Sequence, residues 1–421
     1  MGAMNTVPMG RSCLLRHLVV ALMVLSLAAC GSVMPTPSAS PSTTPAVPAH
    51  SPTAPRPSPT AVPSDAAWTH VTLTRVPSAA FGATKDDQIV ASTTWPGGFL
   101  FLGETFAGAP PAEIVWRSAD GSTWTRTAVS AFAGTDVRGI TWTGQRLVVI
   151  AAVHPISGIT ALKPPLGFAW TSIDGTIWTP VADPDGALAR MIPTSIGSGP
   201  AGVVIAGHSL TAGISLLHSP DGLTWTADDM TTPAFSRVQG GAVVGWAEGF
   251  LLAAGVPAVI TPPIAWAPPS AAAFRSNDGI NWVQSAVPPG AESLDFVTAG
   301  DQIVATGDVC VACPGAFASW STADHGATWQ QQPRPSQGLA TGTMITSTGT
   351  RFVDVSAGRL RWSNDGRTWH PLVSIGPAIS PDYFFDLLVS GDRVVLVGWQ
   401  GIFPPDQPTG PTPLSLVGRL G

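Results

Sequence analysis

Six short polar turns in this chain each close on a tryptophan: Ser118-Ala-Asp120-Gly121-Ser-Thr-Trp124, and the equivalents ending at Trp178, Trp225, Trp282, Trp329 and Trp369. Successive tryptophans lie 54, 47, 57, 47 and 40 residues apart. That is the length of one four-stranded antiparallel unit with a variable loop, and recurrence at such a period marks a propeller or another repeat array. Ile114-Val-Trp116 leads into the first turn and Thr125-Arg-Thr-Ala-Val129 leads out, a period-2 pattern broken by Asp-Gly, which reads as a hairpin. In each turn the aspartate (Asp120, Asp174, Asp221, Asp278, Asp324, Asp365) is expected to accept turn amides. The glycine supplies a positive φ, and the tryptophan covers the neighbouring sheet. Such repetition argues for a shared structural duty of these aspartates, because a catalytic pair needs two special positions.

Two further strand-like runs precede the turns, as in Gly139–Trp142 with Arg146–Ile150 and Asp295–Thr298 with Gln302–Ala305. A unit is therefore strand a, strand b, a variable loop, strand c, the Asp/Trp turn and strand d, the four-stranded blade of a propeller. Two pieces are left over. Phe385–Val397 supplies strands a and b, with Pro413–Gly418 as strand c and no turn after it, while Trp68–Thr74 reads as a strand d without a blade. Sharing one sheet between the chain ends closes the ring and removes an exposed edge. The expected fold is thus all-β, a propeller of seven four-stranded antiparallel blades, the last shared by the N- and C-terminal strands.

The fifth turn, Thr322-x-Asp324-x-Gly326-x-Thr328-Trp329, resembles the Asp-box, or bacterial neuraminidase repeat; the other five are one residue shorter. Asp-box turns occur in sialidases, some xyloglucan-degrading enzymes, sortilin-type receptors and photosystem assembly factors, so the resemblance implies a propeller and no particular reaction. A sialidase-type relation would imply an arginine triad, a Tyr/Glu nucleophilic pair, an aspartate acid/base and an Arg-Ile-Pro-like segment, of which Arg75-Val76-Pro77 is an echo. The sole tyrosine is Tyr383, and the glutamates are Glu104, Glu113, Glu248 and Glu292. Such an enzyme needs Tyr383 and a glutamate within hydrogen-bond reach, beside converging arginines.

Residues 1–29 read as a secretory signal, with Arg11, Arg16 and His17 ahead of the apolar run Leu18–Leu27 and small residues before Cys30. That cysteine makes the segment similar to a bacterial lipobox, which implies cleavage before Cys30 and its lipidation, hence a membrane-anchored, extracytoplasmic protein. The run is short for a transmembrane anchor. Residues 30–64, after the cysteine almost entirely Pro, Ser, Thr and Ala, carry too little apolar surface to fold and read as an extended linker, leaving 65–421 for the propeller. Cys310 and Cys313 then remain as a single C-x-x-C. Zinc usually needs four ligands and no second pair follows, and no βαβ pattern supports a redox site, so a disulfide in an oxidising compartment is expected, with no metal and no cofactor. Charged residues make up 11% of the chain and the net charge is -6, which lacks the basic footprint of a nucleic-acid partner.

An a-b-c-d order puts the a–b and c–d turns on one face and the long b–c loops on the other, where binding is expected. Arg138, Arg190 and Arg237 precede strand a in three successive blades and are candidates for a carboxylate clamp. Exposed arginines on connectors are the competing reading. Asp295 and Asp386 open strand a elsewhere, as acids or as caps of local amides. Glu104 and Glu113 flank the first b–c loop, where a carboxyl pair could serve glycoside hydrolysis; ordinary solvated loop carboxylates are the expectation from the usual exposure of Glu. Trp266, in the proline-rich loop of the fourth blade, is either a contact for a protein or sugar or a packed anchor. The leading reading is a surface-anchored module that binds a protein or glycan through its long-loop face. The alternative is a sialidase-type exo-glycosidase, and a third is an assembly factor for a membrane complex.

Overall fold

The computed structural model describes residues 68–421 apart from 85, 108–111, 154–164, 210–212, 228–234, 236–237, 257–258, 262–264, 268–269, 310–316, 333–343, 357–358, 376–383 and 401–411. Each repeat forms one antiparallel sheet in chain order. The first blade, from the innermost strand outward, is Asp87–Trp95, Gly98–Thr105, Ala112–Ser118 and Thr125–Ala128. The second is Thr135–Trp142, Leu147–Val153, Gly167–Ser172 and Thr179–Pro180. Four more blades follow on the same plan, opening at Met191, Gln239, Asp295 and Met344. The fourth carries an extra ribbon, Val259–Thr261 paired with Ala265–Ala267, between its second and third strands.

The seventh sheet closes the ring. Phe384–Ser390, Arg393–Gln400 and Thr412–Leu420 supply its first three strands, and the N-terminal strand His70–Val76 pairs antiparallel with Thr412–Leu420 as the fourth. Val373–Ile375 then adds in parallel outside it. The innermost strands of neighbouring blades contact one another all the way round, Phe384–Ser390 meeting Asp87–Trp95 at the closure. The seven-bladed, shared-sheet architecture is the one expected from the repeat.

Side-chain alternation along the strands builds the core between blades. Phe99 and Phe101 face the seventh blade, whereas Leu100 and Leu102 face the second. The large residue two positions ahead of each turn (Trp116, Trp170, Leu217, Phe274, Trp320) is buried against the preceding blade. Trp362 stands only one position ahead of Ser363, and a one-residue shift on a strand changes face. It accordingly packs against the seventh blade, where its Nε1 donates to the Trp68 carbonyl at 2.9 Å.

The Asp/Trp turns are built alike. In the first, Asp120 Oδ1 accepts the N–H groups of Ser122 and Thr123 at 2.8 and 3.0 Å, the Ser118 hydroxyl accepts the Gly121 N–H at 2.8 Å, and Trp124 Nε1 donates to the Gly121 carbonyl at 2.8 Å. Gly121 has φ +77°, and a Cβ there would sit 2.6 Å from Val395 of the preceding blade. Glycine is thus required by conformation and by contact. The longer fifth turn places its extra residue, His325, at φ 57°, and Trp329 turns its Nε1 to the Ala286 carbonyl instead.

Candidate functional site

Several sequence candidates fall outside the described residues: Cys30, Arg237, Cys310, Cys313 and Tyr383. Trp266 lies at the centre of the short ribbon Ala265–Ala267. Arg190 is exposed at the end of a short 3-10 turn, Leu188–Arg190, with its guanidinium over Gly186. Asp295 is exposed where it opens its strand. Asp386 accepts the Leu387 N–H at 2.8 Å and a hydrogen bond from Ser92 of the adjoining first blade. Loss of water contact raises its carboxyl above the usual range, against those hydrogen bonds.

The residues the fold does bring together are Glu104, Glu113 and Arg138, with Asp136, which the sequence reading passed over. Glu104 is next to last in the second strand of the first blade and Glu113 is second in the third, and the register sets them directly opposite each other. By alternation Glu104 follows Leu100 and Leu102, and Glu113 precedes Val115, onto the side that faces the second blade. There the innermost strand of the second blade bulges between Val137 and Gly139, so that Arg138 is the extra residue. A bulge re-aims a side chain; here the Arg138 guanidinium bonds Asp136 Oδ2 at 2.5 Å.

Glu104 is 7% exposed and Glu113 4%, which overturns the expectation of solvated loop carboxylates. Both side chains lie on the side of the sheet that faces the second blade. Burial pushes the Glu113 carboxyl up to about 9, helped by the adjacent Glu104 and Asp136 charges. Burial likewise raises Glu104 to about 7, with the Asp136 charge adding, Arg138 opposing, and a hydrogen bond to Asp136 favouring the protonated form. Glu113 Oε2 is buried without a hydrogen-bond partner. An unsatisfied polar atom of that kind costs about 1–3 kcal/mol. Phe106, two residues beyond Glu104, is 51% exposed on the same rim.

The cluster therefore offers a protonated carboxyl, a second carboxyl that exchanges its proton near neutrality, and an Asp136–Arg138 ion pair. Such a set can donate and accept hydrogen bonds and can move a proton. Among the described residues no group of three or more His, Cys, Asp or Glu side chains is placed to hold a metal ion. The signal available in the sequence was the placement of two glutamates at either end of the first b–c loop. The spacing of Asp136 from them, 32 and 23 residues, carried none.

Other buried ion pairs stay within one blade. Asp87 is held by Arg126, 2.8 Å, and by the Thr84 N–H. Asp354 is paired across adjacent strands with Arg361, whose guanidinium stacks over Trp369.

No protein-family model matches the chain, and no curated protein sequence does. Solved structures with a similar course of the chain are sialidase-type and other β-propellers. Phage phi92 endosialidase shares 10% identity at a TM-score of 0.44, over 84% of this chain and 69% of its own. An α-L-arabinofuranosidase from Fusarium graminearum shares 12% at 0.43, over 79% and 93%. The β-propeller domain of the Trilobed protease from Pyrococcus furiosus shares 9% at 0.45, over 75% and 90%.

Proposed function

We propose that the protein is an extracytoplasmic glycan-binding propeller, anchored by lipidated Cys30 and taking its ligand at the rim formed by Glu104, Glu113, Asp136 and Arg138. The unpartnered, buried Oε2 of Glu113 carries the reading. Among the described residues it is the one carboxyl oxygen buried without a partner, and a ligand hydroxyl at the rim would supply the missing hydrogen bond. Sugar hydroxyls both donate and accept, which suits a protonated carboxyl beside a carboxylate–guanidinium pair, and exposed Phe106 offers an apolar face for a pyranose ring. Residues 1–29 are then the cleaved signal and 30–64 the tether, and the six turns are Asp-boxes with a purely structural role.

The test is retention of the purified chain on a glycan array, followed by titration of each hit with wild type, Glu113→Gln and Glu104→Gln. Loss of one hydrogen bond to such a group weakens affinity by on the order of tenfold. No retained glycan, or equal affinity of all three proteins, overturns the proposal.

A second reading, glycoside hydrolysis, is favoured by the divergence of the two glutamates from ordinary carboxyls. One titrates near 7, where an acid/base catalyst works best. Turnover of an aryl glycoside panel that falls by on the order of 10²–10⁴ in Glu104→Gln supports it. Binding without turnover leaves the module a lectin.

A further inference from the structure

We propose that the turn face of the second, third and fourth blades rests on the lipid bilayer, so that the carboxyl rim on the other face points away from the membrane. The inference rests on the lipidation of Cys30 proposed above.

The apolar side chains left in water are not scattered. Ile173 and Ile177, both 73% exposed, stand on the Asp/Trp turn of the second blade; Leu223, 37%, on that of the third; and Ile280, 49%, on that of the fourth, with Val283, 55%, just after it. Among the described residues the other large exposed apolar side chains are Val373 and Phe106. Phe106 alone belongs to the opposite rim.

The turns themselves do not require these residues. Ile177 and Thr123 hold the same place in their turns, and each N–H donates to its aspartate at 3.0 Å. At the position after the glycine, Leu223 and Ile280 stand where the other four turns have Ser122, Thr176, Ala327 and Arg367. Geometry is kept while polarity changes over three consecutive blades, and leaving an aliphatic side chain in water without a covering surface is unfavourable.

The anchor proposed at Cys30 and the place where the chain enters the ring point to the bilayer as the covering surface. The N-terminal strand His70–Val76 runs antiparallel to Thr412–Leu420, with Val71 opposite Leu420 and the Thr69 N–H on the Gly421 carbonyl. Arg393, at the a–b turn of the same blade, reaches the Asp120 carbonyl of the first Asp/Trp turn. The chain therefore enters the ring, at Trp68–His70, on the turn face, the face that carries the aliphatic tips. Exposed Val373 lies beside that entry, its N–H on the Thr69 carbonyl.

Thirty-eight positions separate Cys30 from Trp68, a reach of about 120 Å at ~3.1 Å per extended residue. A tether of that length does not impose an orientation. It holds the ring at a high effective concentration near the bilayer, where a few aliphatic tips suffice to seat it.

The experiment uses the acylated full chain in phosphatidylcholine proteoliposomes, with Cys310 and Cys313 replaced by serine and one labelled cysteine, Ile177→Cys or Ser130→Cys. Ser130 is exposed on the opposite face. Quenching of the 177 label, but not the 130 label, by lipids with brominated chains is expected. Adding Ile173→Glu, Leu223→Glu and Ile280→Glu should lower the seated population by on the order of tenfold or more, the factor for returning one such side chain to water. Equal quenching of both labels, no quenching at 177, or shielding of 177 that rises with protein density and so reports a second copy would overturn the proposal. Mass spectrometry of Cys30 separates the two readings: an unacylated cysteine removes the anchor and this inference together, whereas an acylated protein with an unquenched 177 label removes the inference alone.

Discussion

Glu113 shows how the fold sets the protonation of a single carboxyl. Its side chain is buried opposite Glu104 and titrates at about 9, whereas an unfolded glutamate titrates near 4.3. The folded form therefore holds a proton that the unfolded form has lost, and stability falls as pH rises between those two values. Glu113→Gln is expected to raise stability by about 1–3 kcal/mol at pH 8 and to leave it nearly unchanged at pH 4; thermal melts of both proteins at the two pH values check this. The opposite sign holds at Asp120. The Ser122 hydroxyl, followed by the turn amides, lowers its carboxyl to about 2 against a smaller opposing effect of burial. That stabilisation is complete above the unfolded value near 3.9 and is lost as pH falls through about 2. The Asp120 shift comes from residues two and three positions away and is local to the turn, whereas the Glu113 shift depends on burial and on Glu104 and Asp136, which only the folded chain brings alongside.

At the scale of the element, the Asp/Trp turn is both a hairpin closure and a wedge between blades. Trp124 stacks on Phe101 with centroids 4.8 Å apart and meets Phe81 edge-on at 5.3 Å. Trp124→Ala should cost about 3–5 kcal/mol, the range for a buried aromatic truncated to alanine, as read by denaturant unfolding. Gly121→Ala combines a positive φ with a Cβ 2.6 Å from Val395. A loss of about 1–3 kcal/mol is expected, and a melting point equal to wild type would show that the turn does not wedge the blades. The turn glycines and aspartates were legible in the sequence because their chemistry is local. The plugs Phe81, Phe132 and Phe235 in the connections between blades were not, because a lone aromatic in an irregular segment has no period to reveal it.

For the whole molecule, closure is the decisive contact. Arg351 lies between Trp68 and Trp362, 4.8 Å from each ring, and those two rings meet edge to face at 5.9 Å. They join the first described residue to the sixth blade, while His70–Val76 covers the edge of Thr412–Leu420. Deleting residues 68–76 would expose that edge and both sides of the closing core. Loss of a single cooperative unfolding transition is expected by calorimetry, together with self-association through the open strand. A monomeric deletion variant with an unchanged transition would show that the ring does not depend on its shared sheet.

What the sequence determined by itself was the repeat and its consequences: four strands per unit, the turn chemistry, and two unmatched end pieces that have to share the seventh sheet. These follow from short-range patterns, in which residues a few positions apart act together. Only the tertiary structure decided that Glu104 and Glu113 are buried opposite each other beside Asp136 and Arg138, and that the exposed aliphatic tips share a face with the entering chain. The first depends on strand register and on a bulge in the neighbouring blade, and the second on the direction in which the N-terminal strand joins the ring. Both are set when blades pack and the ring closes, and no spacing along the chain records them.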